Sequence, residues 1–213
     1  MYDQGLLRQG LDDVVPLGIF TAPPAVFFTA TDISSLDDLK GLKSAASGPI
    51  RNQSMEVLGM LPVGGVSVST MAESLSRGTI DVAQMNFTAM ETFRVKDVAT
   101  HAVAVESGSS MLFVLMNRGV YDSLSDADRA ALDAGRAFIA ERWATVIGSN
   151  EVRVRDEFRA DPARTLLEFT DEERASLQQQ LSVVTDAWIA ATDGGQDMVD
   201  ALQAEIARLQ GSN

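Results

Sequence analysis

Along the first half of the chain, short apolar bursts alternate with amphipathic stretches, the pattern of strands and helices taking turns in an α/β sheet. Val14 to Phe20 and Ala25 to Ala30 predict strands, split by Thr21-Ala22-Pro23-Pro24, where the prolines oppose a regular ladder. From Ser34 to Gly41 the chain offers an N-cap serine, acids in the first turn, a lysine and a stop glycine, which predicts one short helix. Leu42 to Ala46 then predicts a strand, Asn52 to Leu58 a helix closed by Gly59, Ser69 to Arg77 a helix closed by Gly78, and Thr79 to Gln84 a strand. A helix from Thr88 to Val98 and strands at His101 to Val105 and Met111 to Met116 follow, and the sheet is expected to end near Asn117.

Beyond Asn117 the pattern predicts helix only. Ser125-Asp126-Ala127-Asp128 caps a long amphipathic helix carrying Leu132, Phe138, Ile139, Trp143 and Val146. Thr170-Asp171-Glu172-Glu173 caps a second, with Leu177, Leu181, Val184 and Trp188. After Asp193-Gly194-Gly195, a stripe of Met198, Leu202, Ile206 and Leu209 marks a last helix.

Charge narrows the choice of partners. The 213 residues carry 17 basic and 30 acidic side chains, a formal charge of -13, so the field of the protein repels phosphate backbones and anionic lipid, and no nucleic-acid partner is expected. Hydrophobic residues at 46% and charged residues at 22% fit a folded domain, and no run approaches the ~18 uninterrupted apolar residues of a membrane span. Without cysteine there is no disulfide, thiolate nucleophile or thiolate metal site, and the single histidine, His101, removes zinc motifs and most acid-base relays. No metal and no cofactor are expected.

Several segments together carry a family likeness. They are Asp37-Asp38-Leu39-Lys40-Gly41-Leu42-Lys43, Leu58-Gly59 with Pro62-Val63, Glu73-Ser74-Leu75-Ser76-Arg77-Gly78-Thr79-Ile80-Asp81, Met116-Asn117, Leu124-Ser125, and Glu172-Glu173-Arg174 through Trp188. In this order, from about Gly10 onward, the chain resembles the periplasmic solute-binding proteins of tripartite ATP-independent (TRAP) transporters, the DctP type. The resemblance implies an α/β, periplasmic-binding-protein-like two-lobe fold with mixed sheets and long C-terminal helices, the first lobe incomplete. It implies a periplasmic, non-enzymatic receptor that captures a small organic acid, a carboxylate, and delivers it to TRAP membrane permease subunits. Residues 1–43 would be a remnant of the first lobe with a crossover strand, 44–110 the second lobe with its ligand-facing strands, and 111–213 a return strand, a long bracing helix from Ser125 to Asn150 and the C-terminal helices. Family members open with a signal peptide and further strands and helices, whereas Met1 to Gly5 has neither a basic nor an apolar leader, so the chain is expected to be N-terminally truncated.

Candidate ligand-binding residues gather where strands end. In Ser47-Gly48-Pro49-Ile50-Arg51-Asn52 a loop feeds a helix, and Arg51 either pairs with an anion beside the helix start or is a solvated surface arginine, with Ser47 and Asn52 sharing its loop. Gln84-Met85-Asn86 closes a strand, and ligands of open α/β sheets bind outside carboxyl ends of strands. By resemblance Asn86 matches an asparagine that faces the ligand, and it is otherwise a turn residue. Val68 falls near a position where the family often places an aromatic, and Phe87 is a core residue or a pocket wall. The family's carboxylate-binding arginine has Ala45 at its position here, and a further basic position falls near Pro24. A rival reading is an α/β hydrolase or transferase using His101 and a serine, although Gly-x-Ser-x-Gly, dinucleotide and Walker motifs are absent from the sequence. A truncated receptor fragment without function is a third.

Overall fold

The computed structural model describes residues 10–211, so Met1 to Gly5 and the start of the expected first segment lie outside the described residues. In chain order the strands are β1 (Val14–Thr21), β2 (Val26–Thr29), β3 (Lys43–Ala45), β4 (Leu61–Pro62), β5 (Val82–Met85), β6 (His101–Val103), β7 (Met111–Asn117) and β8 (Thr165–Leu167). The helices are α1 (Pro49–Val57), α2 (Met71–Ser76), α3 (Phe87–Thr92), α4 (Arg118–Asp122), α5 (Asp126–Ala160), α6 (Asp171–Ala191) and α7 (Gly195–Gln210). The expected α/β class is the observed one.

Six strands form one sheet in the order β4-β3-β5-β2-β6-β8, and β1 pairs with β7 in a separate two-stranded sheet. Pairing is parallel for β3 with β4 and β5 and for β6 with β8, and antiparallel for β2 with β5 and β6. Hence β2 alone runs against its neighbours, and the other five strands end at one common edge.

Alternation along the strands builds two cores. Phe27, Val82 and Val103 share one face and pack with Leu39, with Met55 and Leu58 at α1, and with Leu177 of α6. Phe28, Ala83 and Ala102 share the other, under Met71 and Leu75 of α2, Met90 of α3 and Val154 and Phe158 of α5. There Phe28, Phe87 and Phe158 meet edge to face, with ring centroids 5.2 to 6.0 Å apart. Each such fully buried ring contributes about 1.5–3 kcal/mol by leaving water.

Contacts divide the chain into two compact units. The six-stranded sheet and its covering helices lie in residues 20–112 and 140–181. The other unit comprises, within the described residues, 10–19, 113–139 and 182–211. In it Arg118 donates from Nε to the Asp12 carbonyl at 2.6 Å and from Nη2 to the Val14 carbonyl at 2.9 Å.

Several element boundaries differ from expectation, for identifiable reasons. The Thr88 to Val98 helix breaks into α3 and a 3-10 turn at Val95–Asp97, because Arg94 takes a left-handed conformation at φ 59° and redirects the chain so that Val95 enters the core. The helix expected from Asn52 begins three residues earlier, since Gly48 at φ 93° turns the chain and Pro49 suits the first helical position. The strand expected from Thr79 begins at Val82, because Thr79 and Ile80 still donate to the Ser74 carbonyl. After Asn117 the chain is not helix only: β8 adds a parallel edge to β6, pairing His101 with Thr165. The long helix also continues past Asn150 to Ala160. At the start of α6 the expected capping box forms, with Thr170 Oγ1 accepting from the Glu173 N–H and the Glu173 carboxylate from the Thr170 N–H.

Candidate functional site

At the common edge two strands run directly into helices, β3 through Ala46, Ser47 and Gly48 into α1, and β5 through Asn86 into α3. The first backbone N–H groups of any helix lack helical partners and attract negative charge. In α3 they are already taken. Asn86 Oδ1 accepts from the Ala89 N–H at 2.7 Å, and the Glu151 carboxylate, reaching over from α5, accepts from the Phe87 and Thr88 N–H groups at 2.9 Å.

The start of α1 is open by contrast. Its cap is Gly48, which has no side chain to offer, Pro49 has no N–H, and the first helical bond is Asn52 N–H to the Gly48 carbonyl at 3.3 Å. The N–H groups of Ile50 and Arg51 therefore have no helical carbonyl to bond. Beside them stands the half-buried Arg51 guanidinium, whose pKa burial pushes down from its ordinary value with no acidic neighbour to offset it. Most other arginines of the described residues sit in ion pairs, as Arg77 does with Glu73 and Arg153 with Glu91. A desolvated, unpaired guanidinium next to a helix start is an anion-binding arrangement.

Asn52 Oδ1 and Gln84 Oε1, near this edge, are buried without a hydrogen-bond partner, as are Arg155 Nε beside Phe87 and Ser44 Oγ, which the strand register places level with His101 toward the opposite end. Gln84 is 1% exposed, and its Nε2 donates to Ser107 Oγ, which in turn donates to the Ala25 carbonyl at 3.4 Å. That chain of bonds fixes the amide orientation and leaves Oε1 as the free end. Ser44 registers with Val82, two residues before Gln84, so both side chains lie on the sheet face that α1 covers. Burying a polar atom unpaired costs about 1–3 kcal/mol. Such a group is completed by water, an ion or a ligand, or is carried as strain.

The residues singled out in the sequence thus separate into two groups. Ser47, Arg51, Asn52, Gln84 and Asn86 lie at the edge, Ser47 exposed and Gln84 buried. Met85 and Phe87 are buried in the core under α2, α3 and α5, and Val68, half-buried in a 3-10 turn, packs against that same core. Ala45 is fully buried there as well. Sequence reasoning did not find Ser44, Ser107 or Glu151. The alternation of β3 could have placed Ser44 on the face of Val82, but nothing near Glu151 in the sequence points to α3.

His101 opens β6 at the end away from this edge, with Nδ1 3.0 Å from Thr100 Oγ1 and Nε2 3.6 Å from Asp32. The hydrolase reading gains no serine there. Among the described residues no cluster of His, Cys, Asp or Glu could hold a metal ion, and no helix is long and apolar enough to cross a membrane. A cavity of about 310 Å³ lies between Ser34, Phe169 and Gln180. Its acids are committed elsewhere, Asp37 to Lys40, Glu168 to Arg155 and Arg159, and Glu173 to the α6 cap.

Comparison with known proteins agrees with this architecture. The profile of the family described as bacterial extracellular solute-binding protein, family 7, also termed DctP, matches residues 14–191. Among solved structures, an extracytoplasmic solute receptor of Bordetella pertussis that binds pyroglutamic acid shares the fold with a TM-score of 0.83, at 23% identity over 94% of this chain and 67% of that one. The periplasmic ectoine-binding protein of the TeaABC TRAP transporter of Halomonas elongata gives 0.82, at 16% identity over 92% and 64%. A TRAP periplasmic solute-binding protein of a Sulfitobacter species, with bound β-D-galacturonate, gives 0.77, at 17% identity over 88% and 62%. The chain spans about two thirds of the length of these structures.

Proposed function

Since the chain belongs to the bacterial extracellular solute-binding proteins of family 7, we propose that it captures a small organic acid at the edge formed by the ends of β3 and β5 and passes it to a TRAP-type membrane permease. The family is one of solute receptors, and its members work outside the cytoplasm. One observation carries the proposal for the ligand: Arg51 is half-buried, unpaired and adjacent to the uncapped start of α1. A ligand carboxylate supplies the missing partner, bonding the guanidinium and the N–H groups of Ile50 and Arg51. Asn86 adds a donor, because its oxygen is held by Ala89 and only its amide NH2 is left to face outward. The arrangement supports capture and release.

Titration calorimetry on the protein with pyroglutamate, galacturonate and malonate, beside a neutral sugar and an amine, tests the reading. Binding of at least one acid, weakened by Arg51→Ala and left unchanged by Arg77→Ala, is the expected result. Binding of the sugar or amine alone would reject carboxylate recognition.

A further inference from the structure

From the left-handed Glu106 and the small cavity it lines, we infer that the ligand carries, several bonds from its carboxylate, a protonated amine that enters this cavity and pairs with the Glu106 carboxylate. The inference rests on the reading of Arg51 as the carboxylate partner. Among the described residues only Arg94 and Glu106 hold a positive φ without being glycine, at 59° and 50°. That conformation crowds a side chain and is costly for most residues other than glycine. Arg94 puts its side chain to use, donating from Nε to Asp97 at 2.8 Å. Glu106, three residues past β6 at the common edge, is exposed, and its carboxylate has no hydrogen bond or ion pair among the described residues. Glycine would relax the backbone there, so a glutamate in its place points to a use for the carboxylate.

The cavity measures about 60 Å³, walled by Val26, Phe87 and Ala104 and edged by Glu106, Glu151 and Arg155. Glu151 is bonded to the start of α3, and Arg155 is paired with Glu168, its Nε shut away from solvent. Two carboxylates thus face one guanidinium that already has a partner, and Glu106 is the charge left over. An excess of negative charge between apolar walls suits a cation on an alkyl stem. A volume near that of two waters, at ~30 Å³ each, admits a terminal CH2–NH3+ and no ring. Arg51 follows β3 and Glu106 follows β6, with β5 and β2 between them at about 4.8 Å per strand. A ligand that reaches both is an ω-amino acid. An α-amino acid, with its charges on adjacent carbons, is too short.

Calorimetry on the whole chain with 4-aminobutanoate, 6-aminohexanoate and 8-aminooctanoate, each beside the alkanoate of the same length, scans the span. At least one amino acid should bind roughly three- to tenfold tighter than its alkanoate, and the gain should shrink in high salt. Glu106→Gln and Glu106→Gly should erase the gain and leave alkanoate affinity as it was, and Glu106→Gly should melt no lower than the parent protein. No gain at any length, or a gain that survives both variants, overturns the amine site and leaves the carboxylate reading in place. A lower melting point of Glu106→Gly also overturns it, since the left-handed glutamate would then serve the fold. Alkanoate affinity that survives Arg51→Ala overturns the carboxylate reading, and with it the two-ended ligand. No binding of any of these acids, or of pyroglutamate and galacturonate, overturns both.

Discussion

Thr88 and Glu151 are joined twice: the N–H and the hydroxyl of Thr88 both donate to Glu151 Oε2 at 2.9 Å, while the neighbouring Phe87 N–H donates to Oε1. A carboxylate of α5 thereby neutralises the positive end of α3 and fixes the residue pair that follows β5. Glu151→Ala should lower unfolding free energy by about 1.5–3 kcal/mol, the range for hydrogen bonds to a charged group. Glu151→Gln, which keeps one acceptor oxygen, should lose less. Urea denaturation of the three proteins measures both, and equal stability of all three would show that the cap contributes nothing.

Arg51 should behave as a group kept for binding at the expense of stability. Losing the charged partner of a buried carboxylate costs roughly 2–5 kcal/mol in affinity. Arg51→Met also relieves the folded protein of a desolvated, unpaired cation, so its unfolding free energy should rise by roughly 0.5–2 kcal/mol. Calorimetry and thermal unfolding of the same variant read the two signs. A variant that loses stability and binding together would mark Arg51 as structural.

Acid should weaken the fold through Glu91. Its carboxyl is held down from 4.5 to about 2, first by the hydrogen bond from Arg153 and then by that from Lys96. A group depressed in the folded state contributes stability above its unfolded pKa, and that contribution disappears as pH falls from about 4.5 toward about 2. Stability measured against pH should therefore decline through this window, and Glu91→Gln should flatten part of the decline. An unchanged slope in the variant would exclude Glu91 as a source of acid sensitivity.

Phe87→Ala tests the aromatic junction. Its ring is 2% exposed and lies within 5.8 Å of both Phe28 and Phe158, measured between centroids. Truncation should cost about 3–5 kcal/mol. Ligand affinity, measured where the variant is still folded, should change far less than in Arg51→Ala, because this side chain faces the core.

Local chemistry made the strands around Phe27 and Val82 legible, along with the capped start of α6, since apolar alternation and Thr170-to-Glu173 spacing act within a few residues. The left-handed Arg94 was hidden because no glycine or asparagine marks it. Strand β8 was hidden because its three residues are ordered by β6, with Thr165 paired to His101. At the edge, the strand-end rule pointed to Gln84, Met85 and Asn86, and the loop feeding a helix start pointed to Arg51 and Asn52. Ser107 was out of reach, since a serine carries no local sign that its hydroxyl will be buried or part of a relay.

The relay from Gln84 through Ser107 to Ala25 also bears on the order of folding. Ser107 is 23 positions from Gln84 and 82 from Ala25, so these bonds close long loops. Contacts of high sequence separation carry the largest entropic cost and form only once the strands on either side are paired. A chain with β2, β5 or β6 undocked has no oriented Gln84 amide to offer. On the function proposed above, ligand bound at this edge selects the finished sheet over partly folded forms, and a saturating concentration of it adds to the equilibrium stability by mass action.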